Sequence, residues 1–312
     1  MKKILRLGTR SSPLAIIQAE IAKKSIFESH SDFSKECTIE IVPMRTDGDW
    51  DSAQKEQSFL ELGTSKSLFT KEIEEALLSG IIDIAVHSMK DVSVLDREGL
   101  TFAAMLKRGD PRDALLSPIA PCIEDLPAGA RVGTSSLRRR AQVLALRPDL
   151  KVIPLRGNVD TRLKKLAAEE ADATILAVAG LERLGVQDRI ASIFDIKKML
   201  PAPAQGILGL QTREEDETTK SWIARVNHQE TYLCARAERA LLRTLDGSCH
   251  IPIAALAFVE GEKIYLDALA ATLDGKRVVR KKGKGVSTDA EEIGISIGAA
   301  IKAELPEDFF KA

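Results

Sequence analysis

The chain has 312 residues, with 45 Lys+Arg against 46 Asp+Glu and a formal net charge of −1. At roughly 100–200 residues per domain this length suggests two or three domains, and the near-neutral balance excludes a protein recruited to nucleic acid or membrane by its overall charge. The 44% hydrophobic fraction supplies several cores, whereas 4% aromatic residues furnish few platforms for stacking bases. No apolar run approaches the roughly 20 residues of a membrane span, and Arg6 and Arg10 interrupt any apolar leader, so a cytoplasmic location is expected. Cys37, Cys122, Cys234 and Cys249 lie far apart, and His30, His87, His228 and His250 lack metal-ligand spacing. Neither a metal site nor a disulfide framework is expected, and the starting reading of each cysteine is a buried, inert thiol.

Lys3–Leu7 reads as a strand running into Gly8-Thr9-Arg10-Ser11-Ser12-Pro13. Ser12 as N-cap and Pro13 at the first helical position start a helix with Leu14, Ile17 and Ile21 at helical spacing, to about Ile26. Thr38–Met44 is a second strand. Arg45–Ser67 is long and polar, as in a lid, a binding loop or a disordered segment. A helix over Leu68–Ser79 stops at Gly80, and Ile81–Val86 then reads as a strand covered on both faces. It runs straight into His87-Ser88-Met89-Lys90-Asp91. Lys107-Arg108-Gly109-Asp110-Pro111 is a plausible crossover into a second series of strands and helices.

There Arg131-Val132-Gly133-Thr134-Ser135-Ser136 repeats the first design of strand, Gly-Thr, serines and helix. The echo implies two similar α/β domains, each aiming a helix N-terminus at a shared cleft, and such termini bind anions. Beyond Pro201-Ala202-Pro203 the pattern changes. Asn227 and Glu230 form a capping box before a long helix ending near Gly247. Strand-like runs near Ile251–Val259, Lys263–Ala271 and Lys276–Lys282 follow, separated by hairpin signals, and a last helix spans about Asp289–Glu304. This is an α+β unit with a three-stranded antiparallel sheet.

The sharpest charge anomaly lies between Arg131 and Arg162, where seven arginines and one lysine face only Asp149 and Asp160. Arginine is the residue that bidentate carboxylate or phosphate recognition prefers. Arg140 and Arg147 suit a solvated helix face. Arg138, Arg139, Arg156 and Arg162 follow a strand end or open a helix, where cations oppose the dipole, so an anionic ligand is the expected compensation. Lys90 and Asp91 follow a buried strand at the edge where open α/β sheets bind ligands. Asp91 reads equally as a general acid/base or as a turn-capping residue, and His87 as structural. Cys249, in Asp246-Gly247-Ser248-Cys249-His250, is better placed to react than Cys234 inside a helix. Nucleotide-loop and serine-hydrolase motifs are absent from the sequence.

Taken together, Thr9-Arg10-x-Ser12-Pro13-Leu14-Ala15, Asp83 to Asp91, Gly133 to Arg139, Arg156-Gly157-Asn158-Val159 with Arg162, Leu176 to Leu181 with Arg183, and the Gly-Ser-Cys loop of Cys249 resemble the porphobilinogen deaminases over nearly the whole length. The resemblance implies two α/β domains like type II periplasmic binding proteins around a cleft, plus a C-terminal α+β domain. The implied boundaries are 1–106 with 207–224, then 107–206, then 225–312. It implies the head-to-tail joining of four porphobilinogens to hydroxymethylbilane with release of four ammonia. It also implies a dipyrromethane cofactor bound to Cys249 by a thioether.

Carried over by the same resemblance, Asp91 with Lys90 is catalytic. Ser88, Lys90, Asp91, Thr134, Ser135, Ser136, Arg138, Arg139 and Arg162 hold the cofactor, and Arg10, Ser12, Lys66, Arg156, Arg162 and Arg183 the substrate. Porphobilinogen is then the partner, with a monomer expected and neither nucleic acid, membrane nor metal. Three departures stand out. The family's glycines around Lys66 are replaced in Thr64-Ser65-Lys66-Ser67, Ser93 stands where a proline is usual, and Asp160 enters the arginine-rich stretch. Two other classes fit the residues less well: a non-catalytic binder of anionic solutes, and an RNA binder using the basic stretch.

Overall fold

Leu5 and Leu7 alternate inward along β1 (Lys3–Arg10), and the Gly-Thr turn leads into α1 (Pro13–Glu28) as expected. Ser12 caps that helix, its side chain accepting from the Ala15 N–H at 3.3 Å. Then come β2 (Cys37–Met44), α2 (Lys71–Leu78), β3 (Ile84–Ser88) and β4 (Leu100–Met105), followed by β5 (Asp113–Leu116), β6 (Arg131–Gly133), α3 (Leu137–Leu146), β7 (Lys151–Ile153) and α4 (Val159–Ala167). The chain continues through β8 (Ala173–Ala177), α5 (Val178–Leu184), β9 (Ser192–Ile193), β10 (Leu208–Arg213), α6 (Glu217–Ile223) and α7 (Gln229–Thr244). It ends in β11 (Ile253–Glu260), β12 (Lys263–Ala271), β13 (Val278–Val286) and α8 (Ala290–Lys302). The computed structural model describes residues 3–29, 37–44, 70–245, 252–306 and 309, so the expected loop Arg45–Ser67 lies outside the described residues.

Two units result: Met1–Gly109 with Ile207–Tyr232, and Asp110–Gly206 with Leu233–Ala312. The first contains a sheet of order β2-β1-β3-β10-β4 and the second one of order β7-β6-β8-β5-β9. In each, the first three strands run parallel and the fourth is antiparallel to the third. The short sequence echo is therefore a repeat of topology, and it extends to side chains. Arg6 directs its backbone N–H and its guanidinium at Asp83, at 2.9–3.2 Å, where β3 begins. Arg131 does the same to Asp172, at 2.7–3.2 Å, where β8 begins.

Each sheet buries both faces. In the first unit Leu7, Ile26, Ile39, Val86 and Leu210 pack on one side, and Ile73, Leu77, Ile82 and Leu100 on the other. In the second, Val132, Val143, Ile175 and Met199 form one core and Leu116, Leu166, Leu176 and Leu181 another. The three-stranded sheet β11-β12-β13 is an antiparallel meander, as expected. Its Ala254, Leu256, Leu269 and Ala271 pack against Ala141 of α3 and Leu200, which seats the meander on the second unit's own helix. One expectation is corrected: His228, not Asn227, caps α7. The His228 Nδ1 accepts from the Thr231 N–H at 3.3 Å, while the Asn227 Oδ1 accepts from the Met105 N–H at 2.9 Å. Asn227 is spent on a neighbouring strand.

Gly8 and Gly133 occupy equivalent positions in the repeat, and close approach explains both. A Cβ on Gly133 would lie 2.9 Å from the Leu155 Cβ, which is fixed by its bond to the backbone and cannot swing away, whereas one on Gly8 would meet the Ile82 Cδ1, the end of a flexible side chain. Gly133→Ala should lower the free energy of unfolding by about 1–3 kcal/mol, and Gly8→Ala by less. Urea unfolding of both variants checks the ranking, and the reverse order would show that Leu155 yields more readily than Ile82.

His87 is buried in the first unit, its ring edge-on to Phe102 at 5.9 Å between centroids. Burial lowers its pKa to about 4, against the opposing influence of the nearby Gln211 amide, so the imidazole is neutral in the fold. The unfolded chain, with an ordinary histidine pKa near 6.5, then binds more protons between about pH 4 and 6.5. This contribution to stability is complete above pH 6.5 and is lost as the pH falls towards 4. Glu74, raised by burial, works in the opposite direction and loses stability as the pH rises through its folded pKa. The difference in unfolding free energy between the wild type and His87→Gln should therefore change by about 3 kcal/mol across this window. A pH-independent difference would place the imidazole in contact with solvent.

Candidate active site

The first unit builds a pocket where β3 ends. Ile84, Ala85 and Val86 are buried between β1 and β10, and the chain then turns through a single 3₁₀ turn, Met89–Asp91. Met89 is buried and its N–H donates to the Ile207 carbonyl at 3.0 Å, so the turn is pinned from below. Lys90 and Asp91 are left half-buried at the edge of the sheet. A βα turn from the same sheet supplies the other wall, and Arg10, Ser12, Ser88 and Asp91 line one pocket with Gln18 and His87. The Thr9 hydroxyl donates to the Ala15 carbonyl at 3.2 Å and so stiffens the Arg10 turn.

Gln18 was not singled out in the sequence. It is buried on α1 among Ala15, Ala19 and Ala22, and its Nε2 donates to the Ser88 Oγ at 3.1 Å. The signal lay in the pattern: a polar residue on the apolar face of an amphipathic helix has a partner in the interior.

In the second unit Thr134, Ser135 and Ser136 form the turn between β6 and α3. The Thr134 N–H donates to the Ile153 carbonyl at 2.9 Å, the Ser136 N–H donates to the Thr134 Oγ1 at 3.2 Å, and the Ser136 Oγ accepts from the Arg139 N–H at 3.4 Å. Ser135 is exposed, whereas Thr134 is buried. Arg156 and Arg162 are half-buried on either side of Gly157, whose carbonyl accepts from the Arg162 Nε at 2.9 Å. Arg183 is half-buried too, with Nη2 donating to the Gly206 carbonyl at 2.7 Å, and its burial lowers its pKa.

Arg138 and Arg139 differ from expectation. Their side chains are only 7% exposed, and both pair with the fully buried Asp113, at 2.7 and 2.8 Å. The compensating anion inferred for these helix-opening cations is therefore an internal carboxylate. Asp113 stays ionised well below the usual carboxylate range, because the two guanidiniums outweigh the cost of its burial. Arg131 and Arg147 are likewise matched, by Asp172 and Asp149. Two of these carboxylates, Asp113 and Asp172, lie outside the stretch whose charges were counted, so its positive excess is smaller than sequence neighbours suggest. Asp160 sits in the first turn of α4, where a carboxylate favours the helix dipole.

Lys66 and Cys249 lie outside the described residues. Cys37 and Cys234 are buried as expected, but Cys122 is partly exposed, its Sγ 2.9 Å from the Asp125 Oδ2. The neighbouring carboxylates raise its pKa and keep it a thiol.

Comparison with known proteins gives the same reading along the whole chain. The model of the family described as "Porphobilinogen deaminase, dipyromethane cofactor binding domain" matches residues 5–221, and that of "Porphobilinogen deaminase, C-terminal domain" matches residues 232–303. A porphobilinogen deaminase of Alkaliphilus metalliredigens is 41% identical over 299 residues, covering 96% of this chain and 92% of the relative. Among solved structures, the methionine binding protein MetQ is similar with a TM-score of 0.45 at 15% identity, over 78% of this chain and 96% of that one. A nutrient binding protein from Burkholderia cenocepacia bound to methionine has a TM-score of 0.44 at 13% identity, over 71% of this chain and 91% of its own. With its cofactor-binding and C-terminal regions both matched and a close relative spanning almost all of it, the chain belongs to the porphobilinogen deaminase family of dipyrromethane-dependent transferases, the hydroxymethylbilane synthases.

Proposed function

We propose that Asp91 is the catalytic carboxylate, with Lys90 beside it, in the joining of four porphobilinogens head to tail. The observation that carries this reading is the pocket that Asp91 lines together with Arg10, Ser12 and Ser88. Each porphobilinogen bears two carboxylates and an aminomethyl group on a pyrrole. Arg10 and the two hydroxyls suit a substrate carboxylate, and a fixed aspartate suits the pyrrole N–H and the positive charge that develops as ammonia leaves. Asp91 can also accept the α-proton released when two rings have been joined.

The donor set fits dipyrromethane. In the first unit the Ser88 hydroxyl would suit an acidic side chain and Asp91 a ring N–H; in the second unit the hydroxyls of Ser135 and Ser136 and the cations of Arg156 and Arg162 would suit further acidic side chains. Bound there, the group supplies a pyrrole α-carbon as the nucleophile. Cys249 anchors it by a thioether. Thr134, Ser135 and Ser136, with Arg138 and Arg139 behind them, would hold its carboxylates, a role that Ser88, Lys90 and Arg162 would share. Arg10, Ser12, Lys66, Arg156, Arg162 and Arg183 serve the incoming porphobilinogen.

A division into three domains, 1–106 with 207–224, 107–206 and 225–312, accords with the separate meander sheet. Cytoplasmic action as a monomer, without nucleic acid or membrane as partner, completes the reading. Its support is the near-zero net charge. No helix among the described residues is long and apolar enough to cross a membrane.

The intact mass of protein from a host that makes porphobilinogen should exceed the chain mass by one dipyrromethane, and Cys249→Ala should lose that excess. Unmodified but fully active protein would remove Cys249 as the anchor. Asp91→Asn should keep the added mass while turnover falls by about 10²–10⁴-fold. Near-normal synthesis of hydroxymethylbilane by that variant would take Asp91 out of the chemistry.

A further inference from the structure

Asp113 opens β5 with no exposed surface, and donors from two other segments converge on it. The Arg138 Nη1 donates to Oδ2 at 2.7 Å, while the Arg139 Nη2 and the Gln205 Nε2 donate to Oδ1 at 2.8 and 2.9 Å. Both guanidiniums are held at a second point as well. Arg138 Nη1 also reaches the Leu200 carbonyl and Arg139 Nη1 the Ile175 carbonyl, each at 2.8 Å. Gln205 is itself fully buried, and its Nε2 also donates to the Pro111 carbonyl at 2.7 Å. Gln205 thus fastens the carboxylate to the backbone just ahead of β5.

Arg138 and Arg139 are the second and third residues of α3, immediately behind the Thr134–Ser136 turn. Two adjacent cations there repel each other and oppose the helix dipole. One carboxylate shared between them leaves a single net positive charge and fixes where each fork points. Because these side chains are rooted in the first turn of α3, the same contacts set the place of the turn's backbone N–H groups and of the Ser135 and Ser136 hydroxyls.

We propose that Asp113, steadied by Gln205, is a positioning residue for the binding of the anionic pyrrole chain at the Thr134–Ser136 turn. It acts through Arg138 and Arg139 and touches no ligand itself. The inference rests on the assignment of that turn to cofactor carboxylates. It separates from a pure charge effect by sign. Removing a negative charge close to an anion site should strengthen anion binding if charge alone matters. Removing a positioning group should weaken it.

The experiment compares the wild type, Asp113→Asn and Gln205→Met as cofactor-free proteins, following the gain of the dipyrromethane mass against porphobilinogen concentration, with circular dichroism to confirm the fold. Loading should be about tenfold slower at limiting porphobilinogen in Asp113→Asn and about threefold slower in Gln205→Met, the scale expected of groups that orient a binding residue. Loaded fractions of both variants should show a raised KM with kcat changed far less. Loading at the wild-type rate or faster in Asp113→Asn overturns the proposal. Where that variant does not fold, unchanged loading of Gln205→Met, which keeps every charge, overturns it instead. Failure of the underlying cofactor assignment shows separately, as a wild type that gains no mass.

Discussion

The structure depends on aspartates that travel to arginines from other strands. Arg6 takes Asp83, Arg131 takes Asp172, and Arg138 and Arg139 share Asp113. The first two pairs are partly solvated, with arginine side chains 40% and 43% exposed. Pairs of that kind contribute little to stability, because water already screens them. Their importance is geometric. Each ties one parallel strand to the entry of its neighbour, at matching points in two sheets of matching order. This fixes where the next βα turn emerges, and the candidate ligand-binding residues sit on those turns.

The Asp113 cluster is a different case. Withdrawing three charged groups from water costs several kcal/mol per ion, and well-packed apolar residues of similar volume often stabilise a fold as much or more. Stability alone is thus a poor reason for the cluster. Orientation is a better one, since two guanidiniums gripped by a carboxylate and two carbonyls have little rotational freedom left. Six arginines of the second unit fall into two groups. Arg131, Arg138, Arg139 and Arg147 are matched by carboxylates within the protein, whereas Arg162 and Arg183 are half-buried and donate to the Gly157 and Gly206 carbonyls.

Much of this was legible in the sequence because it is local. The N-cap at Ser12, the buried run of β3, the hairpins of the meander and the Gly-Thr echo each depend on residues within a few positions of one another. What sequence reading missed is long-range. Asp113 is separated from Arg138 by 25 residues and Asp172 from Arg131 by 41, so a charge count over neighbouring residues assigned to a ligand what the fold supplies itself. The cap of α7 failed for a related reason, since Asn227 had a competing acceptor role on β4 that no local pattern reveals. Gln18 was missed because a single glutamine on an apolar face carries no spacing motif.

The two halves of the repeat also show how one scaffold acquires two chemistries. The βα turn of the first unit carries Arg10, and the 3₁₀ turn after β3 carries Asp91, so cation and carboxylate line one pocket. In the second unit the equivalent turn carries Ser135 in place of the arginine, and the arginines of the following helix turn inward to Asp113. The first turn thus places a cation in the same pocket as a carboxylate, suited to a reaction in which charge appears and is lost. The second presents serine side chains before two buried, fixed guanidiniums, suited to holding an anion that stays. A shared topology therefore sets the positions, and the placement of one aspartate on β5 decides which half keeps its arginines for the interior.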